Sequence, residues 1–260
     1  MKYYYCNPTG NITILVEELV PVEKQPEISN YLCEIEPTCE QVGFIYRNEN
    51  DCDIRLRMAG GEFCGNATMS TAALFCDENG LEIGSSQNVT VKVSGAKDPL
   101  SVTIKRLRAK EFSGRVEMPL PKEMIVREFT FDEVTYELPV VIFEGMYHII
   151  YPGILRRYIA EKAIKCWCEE MNAPAMGIMM IDEKKEFLTP LVYVKNVDSL
   201  YWEHSCGSGT AAAGFYYYKK LGTAVTKHFY EPSGILSIEV NSEGKLYLSG
   251  QVSIEPVRST

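Results

Sequence analysis

Two cysteines stand in matched surroundings. Cys64-Gly65-Asn66-Ala67-Thr68 opens one segment of helical pattern, and Cys206-Gly207-Ser208-Gly209-Thr210 opens another. A helix N-terminus carries partial positive charge and backbone N–H groups that have no acceptor within the helix. A cysteine placed there has its thiolate stabilised, so its pKa is expected to fall toward neutrality. The glycine that follows lets backbone amides come close to a ligand. Those amides suit an anion such as a carboxylate. One such cysteine would read as a nucleophile. Two, in matched sequence, suit a different chemistry: the carboxylate of a small amino acid held by both sets of amides, with its Cα between two sulfurs. One thiolate then removes the α-proton while the other thiol delivers a proton to the opposite face. This is two-base racemisation or epimerisation, with Cys64 and Cys206 as the catalytic pair.

The match extends beyond the cysteines. Val93-Ser94-Gly95 and then Leu100-Ser101-Val102-Thr103-Ile104 follow the first motif. Pro232-Ser233-Gly234 and then Leu236-Ser237-Ile238-Glu239-Val240 follow the second. Gln41-Val42-Gly43-Phe44-Ile45 precedes the first, as Ala175-Met176-Gly177-Ile178-Met179 precedes the second. Landmarks recurring in one order indicate internal duplication. Two similar halves would set the two helix starts facing each other across a cleft between them.

Short runs rich in β-branched and aromatic residues, bounded by Gly, Pro, Asn or Asp, predict many strands; examples are 41–46, 53–58, 100–105, 188–194 and 235–240. Helical pattern is scarcer, over 67–76, 155–171 and 210–221, with a fourth helix ending near 30–33. Many strands and few helices predict an α+β fold.

Composition excludes other classes. The chain has 260 residues, 46% hydrophobic and 23% charged, which suits a globular protein with a sizeable core. Its 26 Lys and Arg against 35 Asp and Glu give a net charge of −9. That balance argues against nucleic-acid partners and anionic lipid surfaces. No apolar run approaches the roughly 18 residues of a membrane span. The N-terminal residues show no apolar leader core, so the expected compartment is cytoplasmic. Nine cysteines, an odd number, read mostly as small buried hydrophobes rather than as a disulfide framework. No CxxC pair occurs, and Cys166-Trp167-Cys168 has no partner motif, so no metal site is expected. Neither a dinucleotide fingerprint nor a phosphate loop is present. No cofactor is expected, since the thiol pair makes a lysine Schiff base unnecessary.

Cys64-Gly65-Asn66 and Cys206-Gly207-Ser208-Gly209, with Gly10-Asn11 and Glu40-Gln41, resemble the paired motifs of the diaminopimelate-epimerase-like superfamily. Its members are cofactor-independent racemases, epimerases and some isomerases. The resemblance implies two pseudo-symmetric halves, each a β-barrel-like sheet wrapped round a central helix. It also implies that the last strand returns to the first half. The expected lobes are therefore 1–115 plus 250–260, carrying Cys64, and 116–249, carrying Cys206. By position, the resemblance implies that Asn11, Gln41 and Asn66 line the substrate. The amides of Gly65, Asn66, Gly207 and Ser208 would hold its α-carboxylate. The family often forms homodimers, which leaves a homodimer open here.

Departures narrow the substrate. Diaminopimelate epimerases bind a second, distal carboxylate with residues this chain lacks. Gly145-Met146-Tyr147-His148 stands where a Gly-Asn-Pro-His motif is found, no Asn stands near Thr189-Pro190, and Trp202-Glu203-His204-Ser205 contains no Arg. A buried, unsatisfied carboxylate is costly. Four longer strings are similar to the PLP-independent histidine racemases: 7–16, 39–44, 61–70 and 202–211. That resemblance implies L- and D-histidine as substrate and gives Glu203 the role of accepting the α-ammonium, with Glu62 a lesser candidate. His148 and His204 are not expected in the site. The alternatives are a racemase or epimerase of another amino acid, diaminopimelate epimerase included, or a non-catalytic amino-acid-binding relative.

Overall fold

The computed structural model describes residues 1–47 and 50–260. It divides into two compact units, Met1–Glu117 with Leu248–Thr260, and Met118–Tyr247. The first unit contains β1 (Lys2–Pro8), β2 (Thr13–Val16), α1 (Gln25–Ile35), β3 (Gln41–Tyr46), β4 (Ile54–Met58), α2 (Gly65–Glu78), β5 (Ser86–Val93), β6 (Leu100–Arg108) and β7 (Glu111–Met118). The second contains β8 (Glu123–Phe131), β9 (Val134–Ile142), β10 (Tyr147–Pro152), α3 (Arg157–Glu170), β11 (Ala175–Asp182), β12 (Phe187–Val194), β13 (Ser199–Trp202), α4 (Gly207–Leu221), β14 (Val225–Glu231) and β15 (Gly234–Val240). The chain ends with β16 (Leu246–Ile254) and β17 (Arg258–Ser259), which pair with β1.

In the first unit the strands close on themselves. β1 pairs antiparallel with β2, β2 parallel with β3, β3 antiparallel with β4, and β4 parallel with β5. β5, β6 and β7 continue antiparallel. β16 joins β7 to β1 and completes an eight-stranded ring. α2 packs against β1, β2, β4, β5 and β6. Its sequence, GNATMSTAALFCDE, suits that place: small residues dominate, and the buried positions from Gly65 to Leu74 are continuous rather than confined to one face. A helix of small residues buried on every side belongs inside a core. Its buried hydroxyls bond back to the helix, Thr68 to the Cys64 carbonyl at 2.7 Å and Thr71 to the Ala67 carbonyl at 2.9 Å.

The second unit repeats the sequence of strand directions. β9–β10 is antiparallel, β10–β11 parallel, β11–β12 antiparallel, β12–β14 parallel and β14–β15 antiparallel. Helices occupy the same parallel crossovers: α1 and α2 in the first unit, α3 and α4 in the second. α4 packs on β9, β10, β11, β14 and β15. α3 covers the other side of β11 and β12 through a cluster around Trp167, whose ring lies 5.0 Å from that of Phe129. The expected α+β class, with a barrel-like sheet round a central helix in a duplicated arrangement, is the observed one.

Several elements differ from the sequence reading. The helix expected to end near 30–33 runs over Gln25–Ile35, with Pro26 in its first turn. β8 was not expected. Only Phe129 of its nine residues is fully buried, so it carries almost no apolar signal.

Candidate active site

Each unit places one cysteine at the start of its central helix. Cys64 caps α2 from extended backbone (φ −135°, ψ 113°), and its sulfur accepts from the Ala67 amide at 3.4 Å. Cys206 caps α4 with nearly the same conformation (φ −127°, ψ 99°), and its sulfur accepts from the Gly209 amide at 3.4 Å. The two motifs are thus equivalent in geometry as well as in sequence. In each, the next amides, of Gly65 and Asn66 or of Gly207 and Ser208, are first-turn donors that no carbonyl of the same helix can reach.

Around Cys64 the expected site residues come together. The thiol donates to the Gln41 carboxamide oxygen at 3.1 Å. Gln41 Nε2 donates to Asn11 Oδ1 and, at 2.7 Å, to Thr13 Oγ1. Asn11 Nδ2 donates to Glu40 at 2.7 Å. Asn66 is buried in the first turn of α2. Cys64 is only partly buried. Glu62 is exposed, and its carbonyl accepts from the Ser94 hydroxyl at 2.8 Å. Gly95 has φ +76°, and a Cβ there would lie 2.3 Å from the Phe63 nitrogen. The repeated Ser-Gly of the sequence is therefore a seat for the segment that leads into Cys64.

Cys206 is more enclosed, with 5% of its surface exposed. The sulfur lies 3.7 Å from Ser208 Oγ, which is hydrogen-bonded at 3.0 Å to Nε2 of the fully buried His148. Glu203 hydrogen-bonds to the Cys206 thiol and is itself partly exposed. Its amide donates to the Pro190 carbonyl at 3.1 Å, which ties the approach to Cys206 to β12. Met179 of β11 closes on Gly209: a Cβ at Gly209 would lie 2.0 Å from the Met179 sulfur. His204 is exposed, Tyr147 packs partly against the core cluster of its unit, and Pro190 is buried within β12.

The electrostatics of Cys206 depart from the expectation for a helix-start thiol. Burial pushes its pKa well above the ordinary range, and the Glu203 carboxylate and then the Glu231 carboxylate add to that; the Ser208 hydroxyl pulls the other way. Desolvation and two acidic neighbours outweigh the helix dipole. His148, buried without a counter-charge, is pushed down to about 3 and stays neutral.

Two residues of this half-site, Glu231 and His148, were missed in the sequence. Glu231, 3% exposed, accepts from the Cys206 amide at 2.7 Å and from the Thr210 hydroxyl. Burial pushes its carboxyl up to about 8. The sequence carries little signal for it: Val225, Phe229 and Glu231 share the inward face of β14, but Lys227 stands between them in the alternation and breaks the apolar pattern. His148 sits in a run of buried residues with Ile149 and Ile150.

Among the described residues, no group of three or more His, Cys, Asp or Glu is placed to hold a metal ion. No helix among them is long and apolar enough to cross a membrane.

The family described as "Histidine racemase CntK N-terminal domain" matches residues 1–256. The chain is 32% identical over 268 residues to a histidine racemase of Staphylococcus aureus, covering 98% of this chain and 93% of that protein. It is 33% identical over 261 residues to a histidine racemase of Fusobacterium nucleatum, covering 98% and 94%. Solved structures share the fold at low identity. A hydroxyproline epimerase from Agrobacterium vitis with bound trans-4-hydroxy-L-proline superposes with TM-score 0.68 at 9% identity, covering 100% of this chain and 90% of that one. A phenazine biosynthesis protein of the PhzF family from Bacillus anthracis superposes with TM-score 0.67 at 15% identity, covering 100% and 98%.

Proposed function

We propose that this chain, which belongs to the histidine racemase family, interconverts L- and D-histidine by moving the α-proton between two cysteines. The observation that carries this reading is the matched pair of cysteine caps, each sulfur 3.4 Å from the amide three residues on, each at the head of a buried central helix. Binding alone would need only backbone amides. Thiols at both positions supply an acid and a base as well.

In the reaction so assigned, one sulfur is a thiolate and takes the α-proton, while the other is a thiol and returns a proton to the opposite face. The roles exchange for the other enantiomer. First-turn amides of α2 and α4 bind the α-carboxylate and favour the charge that develops as the proton leaves. Gln41 and Asn11 hold Cys64 and border the substrate with Asn66. Glu203 accepts the α-ammonium. No cofactor takes part in this scheme. The cytosol is the compartment this reading assigns, since a two-thiol reaction needs both cysteines kept reduced.

The test is α-proton exchange in D₂O with chiral analysis, on enzyme dialysed against chelator and treated with hydroxylamine. L- and D-histidine should each lose optical purity and gain one deuterium at Cα. kcat/KM for histidine should exceed that for meso-diaminopimelate, because this ratio reports differential transition-state binding. Faster turnover of diaminopimelate overturns the substrate assignment. Activity restored only by added PLP overturns the mechanism.

A further inference from the structure

Glu231 is a buried acid that the two-cysteine scheme does not use. It is placed against the backbone of one reacting residue rather than against its sulfur. Oε2 accepts from the Cys206 amide at 2.7 Å, and Oε1 accepts from the Thr210 hydroxyl one turn into α4. The carboxyl therefore spans the first turn of the helix, clipping the cap residue to position 210. Helix starts favour acidic groups because of the dipole and the unbonded amides. Full burial in an apolar sheet face, however, carries a desolvation cost that a structural cap could avoid with a neutral side chain. An ionisable group kept there in place of a neutral one, its carboxyl bonded to the backbone of a residue that must gain and lose a proton, points to a role in the proton chemistry.

We propose that Glu231 is the positioning residue of Cys206: it fixes the thiol at the head of α4 and, once ionised, holds the proton on the sulfur. The inference rests on the reading of Cys206 as an acid-base group. The groups that face Cys206 are Glu203, which hydrogen-bonds to it, Glu231 behind its amide, Ser208 beside the sulfur, and neutral His148 on the far side of Ser208. No cation is among them. Glu231 gives up its proton near pH 8, and Cys206 is pushed well above its ordinary range, so the carboxyl is charged by the time the thiol would ionise. Two like charges in one buried site oppose each other. The practical result is that Cys206 remains a thiol, ready to deliver a proton, to a higher pH than it otherwise would. Such an arrangement favours Cys206 as the protonated partner of the thiolate-plus-thiol pair.

Two variants separate this role from simple support of the fold. Glu231→Gln keeps the shape and one acceptor for the Cys206 amide, and its NH₂ can donate to Thr210 Oγ1, but it can carry no charge. Thr210→Val leaves the acid in place and removes the hydrogen bond that favours its ionised form. The readout is the pH dependence of Cys206 alkylation by iodoacetamide, followed by peptide mass spectrometry on the full chain. In Glu231→Gln the midpoint should fall by about one pH unit, and Thr210→Val should shift it the same way by less. The basic limb of the kcat/KM profile for histidine should move down with it. An unmoved or raised midpoint in the folded Glu231→Gln protein overturns the proposal. So does an equal loss of rate at every pH with the limb in place. If Glu231→Gln fails to give the wild-type circular dichroism, Thr210→Val decides alone. The alkylation titration needs no substrate, so its outcome stands even if histidine proves not to be turned over.

Discussion

The Cys64 thiol donates to the carboxamide oxygen of Gln41 at 3.1 Å, and the same carboxamide spends its NH₂ on Asn11 and Thr13. Both ends of the Gln41 side chain are thereby committed, and the amide has one orientation. Gln41→Glu should break this arrangement. A carboxylate cannot donate to Asn11 Oδ1, and it places a negative charge where a thiolate must form. Losing hydrogen bonds at a buried group costs about 1–3 kcal/mol. A fall in kcat/KM of about 10- to 100-fold is expected, with alkylation of Cys64 moved to higher pH. Unchanged kinetics would mean that the Gln41 contact does not hold the thiol for reaction.

Cys64→Ala and Cys206→Ala should each abolish racemisation while leaving the fold nearly intact. Serine is the more telling replacement. It is a better N-cap than cysteine, so helix stability should hold or rise. A hydroxyl is a far weaker acid than a thiol, so the rate should fall by about 10²-fold or more. Circular dichroism and chiral analysis on the same samples separate the two effects. Racemisation near the wild-type rate in either alanine variant would remove that cysteine from the mechanism.

Gly209 is the point where β11 presses on the head of α4. An added Cβ would lie 2.0 Å from the Met179 sulfur and 3.1 Å from Cys206 Sγ. Gly209→Ala should therefore destabilise the protein by about 1–3 kcal/mol, as overpacking does, and should displace the Cys206 thiol. Met179→Ala in the same chain opens the space. The double variant should recover part of the lost stability relative to the sum of the singles. Denaturant midpoints for the four proteins of the cycle measure this, and strict additivity would show that the clash is not with Met179.

Both cysteine motifs were legible because they repeat, and a repeat is visible without knowing the fold. The helices behind them were legible too, although each begins earlier than the apolar pattern does: α2 at Gly65 and α4 at Gly207, because glycine and polar residues fill the first turns. Less was visible where burial does not follow residue type. β8 is a strand with one fully buried side chain, and α1 buries only Gln25 and Leu32. Glu231 and His148 were passed over for the converse reason. A polar residue inside an apolar run looks like the end of the pattern, and only the fold shows that the run continues through it. The direction of the Cys206 shift was hidden in the same way, since a helix start is local in sequence while the burial that dominates the shift, with the Glu203 and Glu231 carboxylates behind it, is set by the fold.

His148 and Glu231 also give stability a defined dependence on pH. The folded state holds His148 neutral down to about pH 3, whereas an exposed imidazole titrates near 6.5. Below 6.5 the unfolded chain binds a proton that the folded chain refuses, so this group costs stability as pH falls. Glu231 acts in the other direction. Its folded carboxyl keeps a proton up to about pH 8, whereas an exposed one loses it near 4.5. Above 4.5 the folded state binds the extra proton, so stability falls as pH rises toward 8. Between 4.5 and 6.5 the two slopes oppose each other and the pair leaves stability nearly flat. From 6.5 to 8 only Glu231 contributes, and stability should drop by about 1–2 kcal/mol. Urea midpoints at pH 6.5 and 8 test this directly. The wild type should lose stability across that interval, and Glu231→Gln should lose markedly less; an equal loss in both proteins would assign the slope to other groups.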